Sequence, residues 1–237
     1  MKKVLVLGAS GIVAPHVTPG LKDDYDLRLT DITPHPQGEP ITAVDVTNYQ
    51  QVLAASRGMD AMINCTVVRD DPVQSFHVNV KGAFHAMKAA AACGIKKVIH
   101  TGPQSVRYLF DHDFDVGEIP QAPGTEYYMC TKHLSEEICR IYAREHGIQT
   151  ICFLFNGLGA KPTAPVVKRD FHPFCIVWED LSHALRLALE VESVPDNFQL
   201  FNLLSYLGHG VFSIDKAKRM LGYEPLEKLE TYFRRTP

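Results

Sequence analysis

The sequence is short of the features that mark several function classes. Its 24 Lys and Arg against 27 Asp and Glu leave a net charge of -3, so no basic field points to nucleic acid or to an anionic membrane surface. No apolar run approaches the roughly 18 residues that a membrane span needs. The N-terminal run Val4–Leu7 stops at Gly8, too short for the apolar region of a signal peptide. Internal repeats and low-complexity tracts are missing. None of the six cysteines (Cys65, Cys93, Cys130, Cys139, Cys152 and Cys175) stands in a C-x-x-C pair, which removes the usual zinc and redox signals. They read as reduced thiols of a cytoplasmic protein, with Cys130 the one that falls inside a motif. Paired-histidine spacing is also lacking. The acidic stretch with Asp111, His112, Asp113, Asp115 and Glu118 therefore reads as a solvated loop over a site, and no metal is expected.

What is present is an alternation of short apolar runs with helical patterns. Strands are expected at Lys3–Leu7, Leu27–Ile32, Thr42–Val46, Ala61–Val67, Lys97–Thr101, Thr150–Phe155 and Gln199–Leu203. Helical periodicity runs through Val78–Cys93, Tyr128–His146 and Glu179–Glu192. Gly94 and Gly147 close the first two, and Ser213 and Gly222 bracket a further helix. This order predicts an α/β fold with a doubly wound parallel sheet, buried on both faces. The Gly- and Pro-containing stretch Asn156–Pro173 reads as irregular. The expected division is a core over 1–155 and a small substrate-side lobe over 156–237, interleaved with that core. With 237 residues the chain can bury such a core without disulfides or metals.

Gly8-Ala9-Ser10-Gly11-Ile12-Val13-Ala14 follows the first strand directly. A glycine at a strand end permits a sharp turn, and a second lets backbone N–H groups approach a pyrophosphate. Gly8, Ser10, Gly11 and Ile12 are thus the expected phosphate contacts. Pro15 and Pro19 shorten or kink the helix that follows. Asp31 ends the second strand, where a carboxylate binds the adenosine ribose and repels a 2′-phosphate, which favours NAD over NADP. Asp45 and Val46 are placed to meet the adenine edge.

Tyr128-Met129-Cys130-Thr131-Lys132 is Y-x-x-x-K at the start of a helix. A spacing of four puts both side chains on one face. An ammonium beside a phenol lowers its pKa and suits it to exchange a proton with a substrate oxygen. With these residues in this order, the sequence resembles the short-chain dehydrogenase/reductase superfamily, in its extended NAD-dependent epimerase/dehydratase branch. Asn79-Val80-Lys81-Gly82, Lys97–Thr101, Phe155–Gly159, Ile176–Leu181 and Ala217–Pro225 resemble further motifs of that branch. The resemblance implies a Rossmann core with NAD as cofactor, and it adds Cys65, Thr66 and Asn79 to the cofactor wall. It implies that Tyr128 is the acid/base, that Lys132 holds the nicotinamide ribose, and that a Ser or Thr polarises the substrate oxygen.

Two departures stand out. Aligning Val106 with the family's valine puts Pro103, which has no side-chain donor, at the Ser/Thr position. Ser105 is the preferred substitute, with Gln104 close by and Thr101 available if the loop shifts. Arg107, Arg169 and His172 are candidate substrate contacts. The region after 155 is also short for a nucleotide-sugar lobe, so a small sugar, sugar acid or other secondary alcohol is the expected substrate. The expected activity is NAD-dependent hydride transfer. An epimerase, or a non-catalytic dinucleotide sensor or scaffold, remains as an alternative. In relatives the two long helices pair as a four-helix homodimer interface; here the same faces also suit packing on the chain's own sheet.

Overall fold

A computed structural model describes residues 1–103, 117, 123–167, 175–208 and 210–234. Strand β1 (Lys2–Leu7) leads through a glycine turn to α1 (Ala14–Val17), β2 (Tyr25–Asp31) and β3 (Thr42–Ala43). Then follow α2 (Tyr49–Ser56), β4 (Ala61–Asn64), α3 (Pro72–Ser75), α4 (Gly82–Cys93), β5 (Lys97–Gly102), α5 (Tyr127–His146) and β6 (Gln149–Leu154). The last third holds β7 (Leu158–Gly159), β8 (Val166–Val167), β9 (Ile176–Val177), α6 (Trp178–Glu190), β10 (Phe198–Asn202), α7 (Asp215–Leu221) and β11 (Phe233–Arg234).

Seven strands form one sheet in the order β10-β6-β5-β4-β1-β2-β3, and every pairing is parallel. The order reverses between β1 and β4, so chain segments leaving those two strands part to opposite sides and open a crevice. Alternation along β1 shows how the sheet is buried on both faces. Val4 and Val6 join Leu181 and Leu185 of α6 in one core, while Leu5 and Leu7 join Met87 of α4 and Cys139 of α5 in the other. Short pairs β7–β9 and β8–β11 lie outside this sheet. Among the described residues no helix is long and apolar enough to cross a membrane.

Local chemistry accounts for the element ends. Gly94 and Gly147 take left-handed conformations at φ 72° and 63° and close α4 and α5 as expected. Pro15 and Pro19 leave α1 only four residues long, followed by a 3-10 turn over Thr18–Leu21. The helix expected from Val78 starts earlier. Asp71 caps it by accepting from Gln74 N at 2.7 Å, and a π-helical stretch over Phe76–Lys81 joins α3 to α4. The π turn shifts the apolar register, which hides this first part from a 3.6-residue period. Ser213 does not cap α7. It accepts from Asp215 N at 3.1 Å, from the position just before the N-cap residue Ile214.

Candidate active site

The crevice is built first from the turn after β1. Gly8 has φ +77°, and a Cβ there would lie 2.8 Å from Thr66 N and 2.9 Å from Cys65 C. Only glycine lets the two strand ends approach this closely. Gly8 N and Ala9 N both donate to Thr30 O at 3.0 Å, so the turn is tied to β2 as well. The helix does not start at Gly11, as the sequence pattern suggested. It starts at Ala14 and is one turn long, so it brings little helix dipole to the crevice.

Asp31 is held by four donors. Its Oδ2 accepts from Ser10 N at 3.0 Å, and its Oδ1 accepts from Ile32 N, Thr33 N and Thr33 Oγ1 at 2.7, 3.1 and 3.1 Å. Asp31, Ser10, Gly11, Asp45, Val46 and Thr66 line one cavity beside β1. Asp45 is partly engaged, since its Oδ1 accepts from Thr47 N at 2.8 Å. Val46 packs on Gly82, where a Cβ would meet Val46 Cγ2 at 2.9 Å. That contact explains the glycine of the Asn79-Val80-Lys81-Gly82 motif.

A second cavity continues from the first through Cys65 and Val67, which line both. Its walls include Ile12, Arg69, Thr101, Pro103, Tyr128 and Lys132. Tyr128 and Lys132 thus line a cavity that adjoins the one at the phosphate turn. Asn79 stands behind the wall. It is buried and engaged with Val68 and Thr131. Thr101 Oγ1 donates to Asn64 O at 3.2 Å. Ser105, Gln104, Arg107, Arg169, His172 and the acidic residues between Asp111 and Glu118 lie outside the described residues.

The electrostatics differ from the expectation in one respect. The Tyr128 phenol lies above its ordinary pKa because it is buried, and the cation that opposes this rise is Arg69. Lys132 is 2% exposed. Burial lowers its pKa, with the Glu136 charge acting against that fall. Burial pushes the Glu136 carboxyl up to about 8, opposed by Lys132. The Cys65 thiol is pushed up to about 12 by burial, so this wall residue stays a neutral thiol.

Behind Lys132 runs a buried chain of hydrogen bonds whose directions are determined. Thr66 N donates to Asn64 Oδ1 at 3.1 Å, which leaves Asn64 Nδ2 facing His100 Nδ1 at 3.3 Å. His100 Nδ1 is therefore the acceptor and Nε2 carries the proton. Nε2 meets Ser135 Oγ at 2.9 Å, and Ser135 Oγ donates to Lys132 O at 2.6 Å. Burial and the Lys132 charge hold His100 well below the usual histidine pKa, so it stays neutral. Lys132 Nζ, 3.5 Å from this protonated nitrogen, finds no acceptor there. Sequence reasoning missed Arg69, His100 and Glu136; only Glu136, four residues after Lys132, carried a signal in its spacing.

Residues 4–172 match the NAD dependent epimerase/dehydratase family. The chain belongs to this family. It is 27% identical over 169 residues to a uronate dehydrogenase of Pseudomonas putida, covering 68% of this chain and 62% of that protein. It is 31% identical over 187 residues to a 3-beta-hydroxysteroid dehydrogenase of Mycolicibacterium neoaurum, covering 71% of this chain and 51% of that protein. The chain thus spans about half to three-fifths of the length of these two curated relatives. Among solved structures, a glucuronic acid dehydrogenase from Chromohalobacter salexigens superposes with a TM-score of 0.82 at 20% identity, covering 98% of this chain and 86% of that one. As an epimerase/dehydratase family member the chain comes from an NAD-dependent group, and its crevice fits that cofactor. Beside Gly11 an added Cβ would meet only Gly8 O at 3.4 Å, and that open side of the turn suits a close-lying pyrophosphate. The fixed Asp31 carboxylate suits ribose hydroxyls.

Proposed function

We propose that this protein is an NAD-dependent oxidoreductase acting on a small sugar acid of the hexuronate class. One observation carries the reading: the Gly8–Gly11 turn and Asp31 on one side, and Tyr128 and Lys132 on the other, line cavities that meet at Cys65 and Val67. A dinucleotide laid along that path puts its redox end beside the phenol. The uronate dehydrogenase relative supports the substrate class. Gly8, Ser10, Gly11 and Ile12 face the phosphates, Asp31 the adenosine ribose, and Asp45, Val46, Cys65 and Thr66 the walls. Lys132, denied an acceptor by His100, directs its ammonium to the nicotinamide ribose. Bound NAD supplies the hydride acceptor. Tyr128 takes the proton of the substrate hydroxyl as the carbonyl forms. Residues 1–155 serve the cofactor, and the region after 155, beginning with Asn156 and Leu158 in the cavity wall, serves the substrate. Six free thiols suit a cytoplasmic setting.

The test is NADH formation from D-glucuronate or D-galacturonate. NADP should serve at least about tenfold less well, since ~1.4 kcal/mol of repulsion between Asp31 and a 2′-phosphate suffices for that ratio. An epimer formed without free NADH, or equal use of NADP, would overturn the respective assignment.

A homodimer through α4 and α5 is part of the same reading. Phe84 of α4 and Leu134 and Ile141 of α5 leave apolar surface exposed, as do Val73 and Phe76 in the segment that leads into α4. Sedimentation should show twice the monomer mass, with Ile141→Glu returning it to the monomer. A monomeric wild type would remove the interface.

A further inference from the structure

Among the described residues the site offers no obvious donor for the substrate oxygen. Pro103 stands in the cavity wall without one. The Thr101 hydroxyl is committed to Asn64 O. Cys65 is a weak donor, and Asn156 already has a partner. Arg69 is different. It lines the same cavity, exposed at its mouth where a substrate would cover it. Its guanidinium carbon lies 5.4 Å from the centroid of the Tyr128 ring, within cation–π range.

The chain on which Arg69 sits is tied to the helix that carries Tyr128. Val68 N donates to Asn79 Oδ1 at 2.9 Å, and Asn79 Nδ2 donates back to Val68 O at 2.9 Å. Ser75 Oγ also donates to Val68 O at 3.0 Å. The same Asn79 Nδ2 donates to Thr131 Oγ1 at 3.0 Å, and Thr131 Oγ1 donates to Tyr128 O at 3.0 Å. Both amide protons and the amide oxygen of Asn79 are used. The residue before Arg69 is thus clamped to the first turns of α5 through the buried Asn79, which sets where the guanidinium emerges relative to the phenol.

We propose that Arg69 is a further catalytic residue, which holds the Tyr128 phenolate and donates a hydrogen bond to the substrate oxygen where Pro103 offers none. This rests on the oxidoreductase reading above. In the oxidation the substrate C–H electron pair leaves as hydride and reduces the nicotinamide. The hydroxyl proton passes to Tyr128 Oη, and the C–O bond becomes a carbonyl. Arg69 neither gains nor loses a proton; it has five N–H donors, enough for the phenol oxygen and a second acceptor together. Its charge also works on the phenol, pulling its pKa down against burial.

The experiment compares wild type with Arg69→Met, Arg69→Gln, Arg69→Lys and Ser105→Ala in hexuronate oxidation with NAD across pH. Arg69→Met should lose about 10²-fold in kcat, the cost of removing one such donor. Its rising pH limb should move to higher pH, because the phenol ionises later without the cation. Arg69→Lys should restore the position of that limb. Arg69→Gln, neutral and polar, stands in if the Met variant unfolds. A loss confined to KM would make Arg69 a grip on the substrate carboxylate and overturn the proposal. So would an unchanged rate in Arg69→Met with the loss appearing in Ser105→Ala. A substrate-free measurement separates this from the function reading. In ¹³C-tyrosine NMR, with Tyr128 identified by its loss in Tyr128→Phe, the Tyr128 titration should move up in Arg69→Met. If wild type oxidises no hexuronate, the substrate reading fails alone, and an unmoved Tyr128 titration still overturns the Arg69 role.

Discussion

Tyr128→Phe should lower NAD-dependent hexuronate oxidation by about 10³-fold, within the range that a positioned acid/base supplies, while NAD affinity stays within a few-fold. The substitution removes one oxygen and little else. The ring remains under Arg69, whose carbon lies 5.4 Å from its centroid. The backbone carbonyl of Tyr128 still accepts from Thr131 Oγ1. The proposed adenosine and phosphate contacts, at Asp31 and the Gly8 turn, belong to the other cavity. Turnover and cofactor binding should therefore separate. The pH profile gives a second mark. Burial holds the Tyr128 phenol above its ordinary value, so the base form grows toward alkaline pH and wild-type oxidation should rise with it. The Phe variant should show a residual rate without that rise. Steady-state kinetics across pH and calorimetry with NAD check both halves, and a variant that keeps its rate removes Tyr128 from the chemistry.

How much of this was legible in the sequence depends on the range of the interaction. Tyr128 and Lys132 lie four residues apart on one helix, so their common face follows from helix geometry alone. Gly8 at the end of an apolar strand is legible for a similar reason, because the turn is local. Arg69 and Tyr128 meet only because the Asn79 amide clamps Val68 to α5, and no spacing rule connects residues on three separate segments. His100 gives no signal either. Within Lys97–Gly102 it occupies an inward position that a plain apolar strand would fill, and its role appears only with Asn64 and Ser135 beside it. The expected effect of Lys132 on the phenol fails for a physical reason as well. Desolvation acts on both groups, raising the phenol and lowering the ammonium, and a spacing argument contains no burial. Of the helices, the one with the π turn hides its start from sequence periodicity, since Phe76–Lys81 breaks the 3.6-residue period.

Gly8→Ala should be severely destabilising, since it joins a positive φ to a clash with backbone atoms. The backbone at Gly8 sits at φ +77°, which costs an L-residue about 1–2 kcal/mol by itself. The added Cβ would then stand 2.8 Å from Thr66 N and 2.9 Å from Cys65 C, and both atoms are backbone. Neither can rotate away. Cys65 N is bound to Leu7 O at 2.9 Å, and Thr66 N to Asn64 Oδ1 at 3.1 Å. Moving that wall breaks the first link of the chain through His100 and Ser135 to Lys132. A total cost on the order of 3 kcal/mol follows, typical of strain at a special backbone position. For a chain of this size that is a fall in Tm of roughly 6–12 °C. NAD should no longer raise Tm in the variant, because relief of the clash closes or tilts the turn that faces the pyrophosphate. Gly11→Ala provides the contrast on the same turn. Gly11 has no positive φ, and its Cβ would meet only Gly8 O, at 3.4 Å. It should lose little stability, so any loss of NAD protection there reports contact with the cofactor. Thermal unfolding of both variants with and without NAD decides the matter: equal Tm values for Gly8→Ala and wild type would mean that β1 and β4 do not approach each other as described.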